Sequence, residues 1–225
     1  MSTSVTDCVL SRRSTRAFLP TPVSKDVVLD ILETARRSPS GSNVQPWFVD
    51  VLAGDALSAL REKVRASMSE NPKGEGAEYE LYPKDMDDLY RDRRFKCGED
   101  LYASIGVPRE DKFARLLQFA RNYELFDAPC GLFFSIDRSF GSAQWAHLGM
   151  FMQTVMLLAQ EKGLATCAQE AWMGFYKTVG AHLQLPDERM LYCGMALGFA
   201  DPEAPINGFV TERAEVSDFA TLHGF

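Results

Sequence analysis

The chain has 225 residues, of which 46% are hydrophobic and 24% charged, so it can bury one sizeable core. Its 31 acidic residues outnumber 24 basic ones, and the net charge of −7 argues against a general nucleic-acid binder, which needs a basic face. The N-terminal segment has no apolar stretch of the kind that marks a secretory signal. The apolar run 148–159 is too short to cross a bilayer.

Cysteine usage indicates a reducing compartment, and we expect a cytoplasmic protein. An odd number of widely spaced cysteines without a CxxC pair favours free thiols over a disulfide framework. The three histidines are equally scattered, so no metal site is predicted. The cysteines are Cys8, Cys97, Cys130, Cys167 and Cys193.

The first third of the chain reads as helix, helix, strand, helix. A short helix is predicted over 4–11. Ser24 is a plausible N-cap for a second helix whose apolar residues recur at helical spacing, and this helix should stop at Ser38, before a proline. A strand over 47–52 and a helix reaching from an Asp55 cap to about residue 68 follow.

The middle third begins with an excursion. Residues 69–111 are polar and show little periodicity, which indicates short helical pieces and no separate core. A helix is predicted over 112–124 and a buried strand over 130–136. The segment 142–161 has apolar residues on most of its surface, so it should be a helix buried nearly all round, ended by Gly163.

The last third adds a strand and turn over 164–170, a helix over 172–183 and a strand over 191–199. The tail 201–225 keeps several large apolar residues, which a disordered tail seldom does. We expect it to pack against other parts of the protein, a partner subunit among them. The irregular alternation of helices and strands predicts an α+β fold with a central mixed sheet.

Two segments carry candidate chemistry, whereas no GxGxxG, P-loop or GxSxG motif occurs. The first is 12–16, where three arginines and two hydroxyl residues form a cluster suited to a phosphate. The second is the loop 39–46, whose small residues permit close approach of a flat ligand. Taken alone, the first fits a solvated basic turn better, and the second is more simply a connecting loop.

In combination and order, these segments resemble the nitroreductase family of flavoproteins. The resemblance covers nearly the whole chain, and it is the order of the segments that makes it specific. The matching segments are RRSTRAF at 12–18, QPW at 45–47, GEDLY and GVPR within 98–109, Asn122 with FDAP at 126–129, AQW at 143–145, GLATC and EAW within 163–172, the strand 194–198, and Arg213.

The resemblance implies an FMN site with residues in named roles. One group would hold the FMN phosphate, ribityl and pyrimidine side, a second would line the flavin from the partner subunit, and backbone near a glutamate would face N5. The first group is Arg12, Arg13, Ser14, Arg16 and Arg213; the second is Pro39, Ser40, Gly41 and Ser42, with Asn43 and Gln45 nearby; the third is Glu170 and Ala171.

This chain departs from the family at three positions near those residues. Ala168 and Ala171 stand where many relatives have proline and glycine around the glutamate, which puts the geometry at N5 in doubt. Thr211 stands where relatives often have a basic residue. Glu170 itself could act through its backbone alone.

The resemblance also implies the architecture and the reaction. It predicts one domain over 1–225, with a mostly antiparallel sheet surrounded by helices, a lid at about 69–126, a tail at 201–225 that embraces the partner, and an intertwined homodimer. The expected activity is reduction of nitroaromatic compounds, and of quinones too, by NADH or NADPH in a ping-pong cycle. Lid aromatics could form a roof over the flavin, and the residues do not sort them from packing groups.

Alternatives remain open at this stage. A related flavoenzyme could reduce enones, remove halogens or destroy flavin. A flavin-binding module without turnover, or a structural protein without flavin, would also account for parts of the pattern. No contact with nucleic acid or membrane is expected.

Overall fold

The computed structural model describes residues 3–225, which form an α+β fold as expected. One four-stranded sheet is surrounded by helices, and three-residue to seven-residue 3-10 segments connect them. The elements are α1 (Val5–Ser11), α2 (Lys25–Ala35), β1 (Trp47–Ala53), α3 (Gly54–Glu70), α4 (Asp88–Ala103), α5 (Lys112–Ala120), β2 (Cys130–Asp137), α6 (Ser142–Glu161), β3 (Ala165–Gln169), α7 (Tyr176–Leu183) and β4 (Arg189–Gly198).

Helix starts follow local side-chain chemistry. The Ser24 hydroxyl accepts a hydrogen bond from the Val27 amide at 3.3 Å, so the predicted cap is confirmed. The helix ends at Ala35, three residues before the predicted stop at Ser38.

The predicted Asp55 cap is wrong. Helix α3 follows β1 directly, and Gly54 makes the bend with a φ of 55°. Asp55 therefore lies inside the first turn, where its charge still favours the helix N-terminus.

The sheet has the strand order β1-β2-β4-β3, and each neighbouring pair is antiparallel. Within residues 3–225, parallel pairing is confined to an isolated bridge between Ser14 and Thr166. A mostly antiparallel sheet is thereby confirmed. β3 lies at one edge, and this position matters for the site.

Successive side chains of each strand point to opposite faces of the sheet, so the hydrophobic core is divided between the two faces. Leu132, Phe134 and Ile136 of β2 point to the face covered by α2 and α6. Phe133 points to the opposite face, where α3, α7 and the segment after α5 pack.

Gly194 lets an aromatic ring lie directly on the central strand β4. A Cβ atom there would come within 2.4 Å of the Trp172 ring. Trp172 is fully buried and packs edge-on against Phe133, with ring centroids 5.0 Å apart. This packing fixes the segment that follows β3.

Three predicted elements differ in detail. The polar excursion contains a single 16-residue helix, α4, which Asp87 caps by accepting the Leu89 amide at 2.9 Å. The predicted helix over 112–124 ends at Ala120 and continues as a 3-10 segment, Arg121–Asp127. The predicted helix over 172–183 likewise begins with a 3-10 segment, Glu170–Phe175.

Helix α6 is not buried all round within one chain. It buries a single face, including Phe151, Val155 and Ala159, while Met150 remains 47% exposed. Gly163 follows with a φ of 73°, as predicted for the residue that ends the helix. None of the helices in residues 3–225 is both long and apolar enough to cross a membrane.

Candidate anion and cofactor site at the edge of the sheet

The basic segment 12–16 is fixed to the edge strand β3. Helix α1 ends at Ser11, and Arg12 takes an extended conformation with φ −60° and ψ 126°. The Thr15 amide then donates to the Thr166 carbonyl of β3 at 3.0 Å, beside the bridge from Ser14. The backbone of this segment is thus an addition to the sheet and not a free turn.

A cavity of about 320 Å³ collects the predicted phosphate residues. Arg12, Arg13, Ser14 and Arg16 line it from one side and Arg213 from the tail. The lining includes no aspartate or glutamate, and within residues 3–225 none of these arginines forms an ion pair with a carboxylate.

The electrostatics of the cavity favour an anion. Burial lowers the pKa of Arg12, and the nearby charge of Arg213 lowers it further. Two guanidinium groups that repel each other without a counter-ion form a site that a phosphate would stabilise, through forked, charge-assisted hydrogen bonds. The residues present therefore fit the phosphate group of FMN.

Cys167 lies in the core next to Arg12, Ser14 and Arg16 of this cavity. It lies on β3 and is 3% exposed. Burial raises the pKa of its thiol, and the neighbouring Arg16 and Ser14 oppose that shift only in part. The thiol is neutral and acts as a small packing group, so it does not compensate the arginines.

Asn207 holds the basic segment in place, although no local pattern in the sequence points to it. Its side-chain Oδ1 atom accepts the Arg16 amide at 2.8 Å, and its backbone carbonyl accepts from the Arg13 guanidinium at 3.1 Å. Its Nδ2 atom donates to the carbonyls of Ala17 at 2.8 Å and Asp201 at 2.9 Å. One side chain thereby joins the segment to the start of the tail.

Glu170 and Ala171 lie at the other end of β3. Four residues of extended strand separate Thr166 from Glu170, which corresponds to about 13 Å. Glu170 is exposed on its outer side, although the protein around it desolvates the carboxyl and raises its pKa. Within residues 3–225 its carboxylate forms no hydrogen bond or ion pair that meets standard geometry.

An aromatic cluster borders this end of the strand. Tyr79 stacks on Tyr192 with centroids 5.6 Å apart and meets Trp145 edge-on at 5.0 Å. Burial raises the pKa of Tyr192, and the charge of Glu170 adds to that shift, so the carboxylate lies close to the cluster. The cluster forms a rigid wall beside Glu170.

The loop 39–45 is exposed and conformationally strained. Ser42, Asn43 and Gln45 have φ values of 50°, 55° and 53°, in the left-handed region that disfavours side chains. The Ser40 hydroxyl accepts the Gln45 amide at 2.9 Å and closes the loop. The Gly41 amide donates to His147 of α6 at 3.3 Å.

A single chain does not bring this loop to the arginine cavity. The loop contacts α6 at His147, whereas Gln160 of the same helix bonds to Ser11 beside the basic segment. Thirteen helical residues separate the two contacts, which amounts to about 20 Å. The predicted loop residues and the predicted phosphate residues therefore lie at opposite ends of α6.

The base of the excursion is anchored firmly. The Glu75 carboxylate accepts the amides of Lys177 at 2.9 Å and Thr178 at 3.0 Å, so it caps α7, whose own N-cap residue provides no side-chain bond. Ser67 donates to the same carboxylate at 2.7 Å. These bonds lower the pKa of Glu75 against an opposing desolvation.

The structure sorts the excursion aromatics. Tyr123 and Phe126 are buried in the core, while Tyr82, Tyr90 and Phe113 are exposed on the outer side. Buried Gln169 ties the 3-10 segment after α5 to β3, because its amide donates to the Asn122 carbonyl at 2.8 Å. The exposed aromatics are thus the ones available to a ligand or a partner.

Comparisons with known proteins agree with this fold. Residues 9–199 match the nitroreductase family. The chain is 37% identical over 220 residues to the 4-nitrobenzoate reductase of Pseudomonas putida, covering 96% of this chain and 94% of that protein. The chain therefore belongs to the nitroreductase family.

Solved structures show the same similarity. The FMN and NADPH-dependent nitroreductase NfnB from Sphigopyxis sp. strain HMH superposes with a TM-score of 0.96 and 42% identity, over 99% of this chain and 100% of that one. The FMN-dependent nitroreductase NfnB from Mycobacterium smegmatis, in complex with NADPH, superposes with a TM-score of 0.91 and 27% identity, over 96% of both chains. Residues 3–225 thus have the nitroreductase fold.

Proposed function

We propose that this protein is an FMN-dependent oxidoreductase that uses NADH or NADPH to reduce nitroaromatic compounds, and quinones too, in a ping-pong cycle. The observation that carries the proposal is the arginine cavity without a carboxylate, placed at one end of an edge strand whose other end is Glu170. Similarity over almost the full length to a 4-nitrobenzoate reductase and to FMN and NADPH-dependent NfnB supports the same reading.

The arginine cavity would bind the phosphate of FMN. Arg12 and Arg213 provide opposed guanidinium groups, and Ser14 adds a hydroxyl donor. Arg16 lies near Cys167 of β3 and would face the pyrimidine side, where positive charge stabilises electron density on a reduced flavin. These residues bind and orient, and none needs to act as a catalytic base.

The far end of β3 would hold the reactive edge of the ring system. FMN, when bound, supplies the group that accepts a hydride from the nicotinamide and passes it to the acceptor. The backbone at Glu170 and Ala171 would face N5 of that ring, and the buried Trp172 that follows it in the chain keeps this backbone in place. Desolvation raises the pKa of the Glu170 carboxyl at this edge.

The homodimer completes the site in this proposal. Pro39, Ser40, Gly41 and Ser42 would line the flavin of the partner, with Asn43 and Gln45 behind them. The separation of the loop from the arginines within one chain supports this arrangement, since a second copy is needed to join the two halves. Exposed apolar side chains support it as well, because monomers rarely leave so many uncovered. In the tail they are Val210, Val216, Phe219, Leu222 and Phe225.

The excursion at 69–126 would act as a lid that selects a small aromatic acceptor. Tyr82, Tyr90 and Phe113 are exposed on it and offer flat apolar surfaces. We assign the tail 201–225 to the embrace of the partner and treat 1–225 as one domain. All five cysteines are free thiols, which supports placement in the cytoplasm.

An absorbance spectrum of the purified protein, before and after anaerobic NADH or NADPH, tests the proposal. Flavin bands that bleach, and return when a nitroaromatic is added, are the expected result. Bands that persist in the presence of both nucleotides would indicate a flavin-binding module without turnover. Absence of flavin bands after FMN is supplied would overturn the cofactor assignment.

A further inference from the structure

Asn207 does not line the arginine cavity, yet it contacts two of the arginines that do. Its side-chain Oδ1 atom holds the backbone amide of Arg16, and its backbone carbonyl holds the guanidinium of Arg13. We propose that Asn207 is a positioning residue that sets the arginines for the phosphate of the cofactor. This inference rests on the proposed function.

The position of Asn207 is fixed before any ligand arrives. It belongs to a 3-10 segment, Pro205–Gly208, in which Ile206 is only 4% exposed. Its backbone amide donates to the Ala204 carbonyl at 3.0 Å. Both protons of its side-chain amide are used, on Ala17 and Asp201.

The hydrogen bonds made here suit an asparagine side chain and do not suit an aspartate. The site requires one acceptor for the Arg16 amide and two donors for carbonyls, all from a short planar group. An aspartate would keep the acceptor but would place an oxygen against the two carbonyls. It would also add a negative charge beside arginines that should bind an anion.

The consequence is preorganisation. Arg13 is exposed, and an exposed arginine normally loses rotamer freedom when it binds a ligand. The side-chain amide of Asn207 holds the Arg16 backbone and, through Ala17 and Asp201, fixes the position of its own backbone carbonyl, which holds the Arg13 side chain. Less of that freedom therefore remains to be lost when phosphate binds. Asn207 therefore acts through the arginines and contributes to the phosphate-specific part of the affinity.

The test compares FMN with riboflavin, which shares the ring and the ribityl chain but lacks the phosphate. Flavin fluorescence titrations of the apoprotein should show that Asn207→Ala weakens FMN binding about tenfold, the equivalent of one charge-assisted hydrogen bond. Riboflavin binding should change far less. A merely structural role predicts equal losses for both flavins, and that outcome would overturn the inference.

Two further variants keep the comparison decisive. Asn207→Asp, which is nearly isosteric, should lose more FMN affinity than Asn207→Ala while riboflavin binding is retained. If Asn207→Ala does not fold, the aspartate variant alone carries the comparison of the two flavins. Asn71→Ala is the control, because Asn71 is an exposed asparagine far along the chain from this site.

The inference and the proposed function fail separately. A wild-type protein that binds neither flavin would overturn the proposed function. A wild-type protein that prefers FMN, together with an Asn207→Ala variant that keeps the same preference, would overturn only the role of Asn207. A double variant with Arg13→Ala should lose less than the sum of the two single losses, because part of the effect of Asn207 acts through the position of Arg13.

Discussion

The basic segment 12–16 and the loop 39–45 differ in how their own chain supports them. The basic segment is joined to β3 through Thr15 and to the tail through Asn207, so its backbone is regular and its charge is uncompensated. The loop is exposed to solvent, has strained backbone at residues with positive φ, and makes one contact to α6, at His147. The phosphate half of the proposed site, at 12–16, is therefore held in place within one chain. The other half, the loop 39–45, would be held by contact with a partner subunit.

The largest effect is expected from removing an arginine of the phosphate half. Arg12→Ala or Arg213→Ala should weaken FMN binding by about 1.5–3 kcal/mol, the contribution of a hydrogen bond to a charged group. Arg12→Ala should at the same time raise the melting temperature of the apoprotein, since Arg12 is partly desolvated and repelled by Arg213. Flavin titration and thermal melting measure the two effects.

Arg37→Ala is the matched control for those arginine variants. Arg37 is exposed and lies outside the cavity, so neither flavin affinity nor apoprotein stability should change. Unaltered FMN affinity in Arg12→Ala and Arg213→Ala would show that the cavity is not the phosphate site.

A smaller effect tests the strained half. Ser42→Val should lower the free energy of unfolding by about 1–2 kcal/mol, because a β-branched residue fits poorly in the left-handed region. Ser42→Gly should change it by less than about 0.5 kcal/mol, since relief of strain offsets the greater freedom of glycine when unfolded. Chemical denaturation of both variants decides this. Equal stability of the two would mean that the loop relaxes in solution and stores no strain.

The smallest effect concerns Glu170, which follows β3 at the end opposite the arginine cavity. Burial raises the folded-state pKa of this carboxyl, so its ionisation opposes folding above that pKa. Glu170→Gln should therefore melt slightly higher than the wild type at neutral pH, and the difference should vanish as the pH falls through the folded pKa toward the unfolded value. Melting curves of both apoproteins across pH measure it. A difference that grows on acidification would contradict the assignment.

Features that are contiguous in the chain could be predicted from the sequence. The arginine cluster is one, because its members are neighbours, and the Ser24 cap is another, because it acts three residues away. Asn207 could not be found, since it meets Arg16 across 191 positions and has no local signature. Helix α4 lies where only short helical pieces were predicted, because its residues lack an apolar face that would indicate one long helix.

The backbone conformation of the loop 39–45 could not be predicted either, and the reason is different. Turn-forming residues indicated a loop, but Ser42 and Gln45 are not the glycines that usually mark left-handed backbone. The acceptor for Gly41 is a histidine 106 positions later, and such a distance along the chain leaves no local pattern in the sequence. Long-range contacts determine this loop, and they appear only when the fold is assembled.

The bridge between Ser14 and Thr166 also bears on solubility. An edge strand offers unpaired backbone groups to any other strand, and proteins protect such edges to avoid aggregation. Residues 14–18 run alongside β3 and the end of β4, with Thr15 bonded to Thr166 and Phe18 bridged to Ala200. The segment that gathers positive charge thus also covers the open edge, and its like charge repels a second copy that approaches edge to edge.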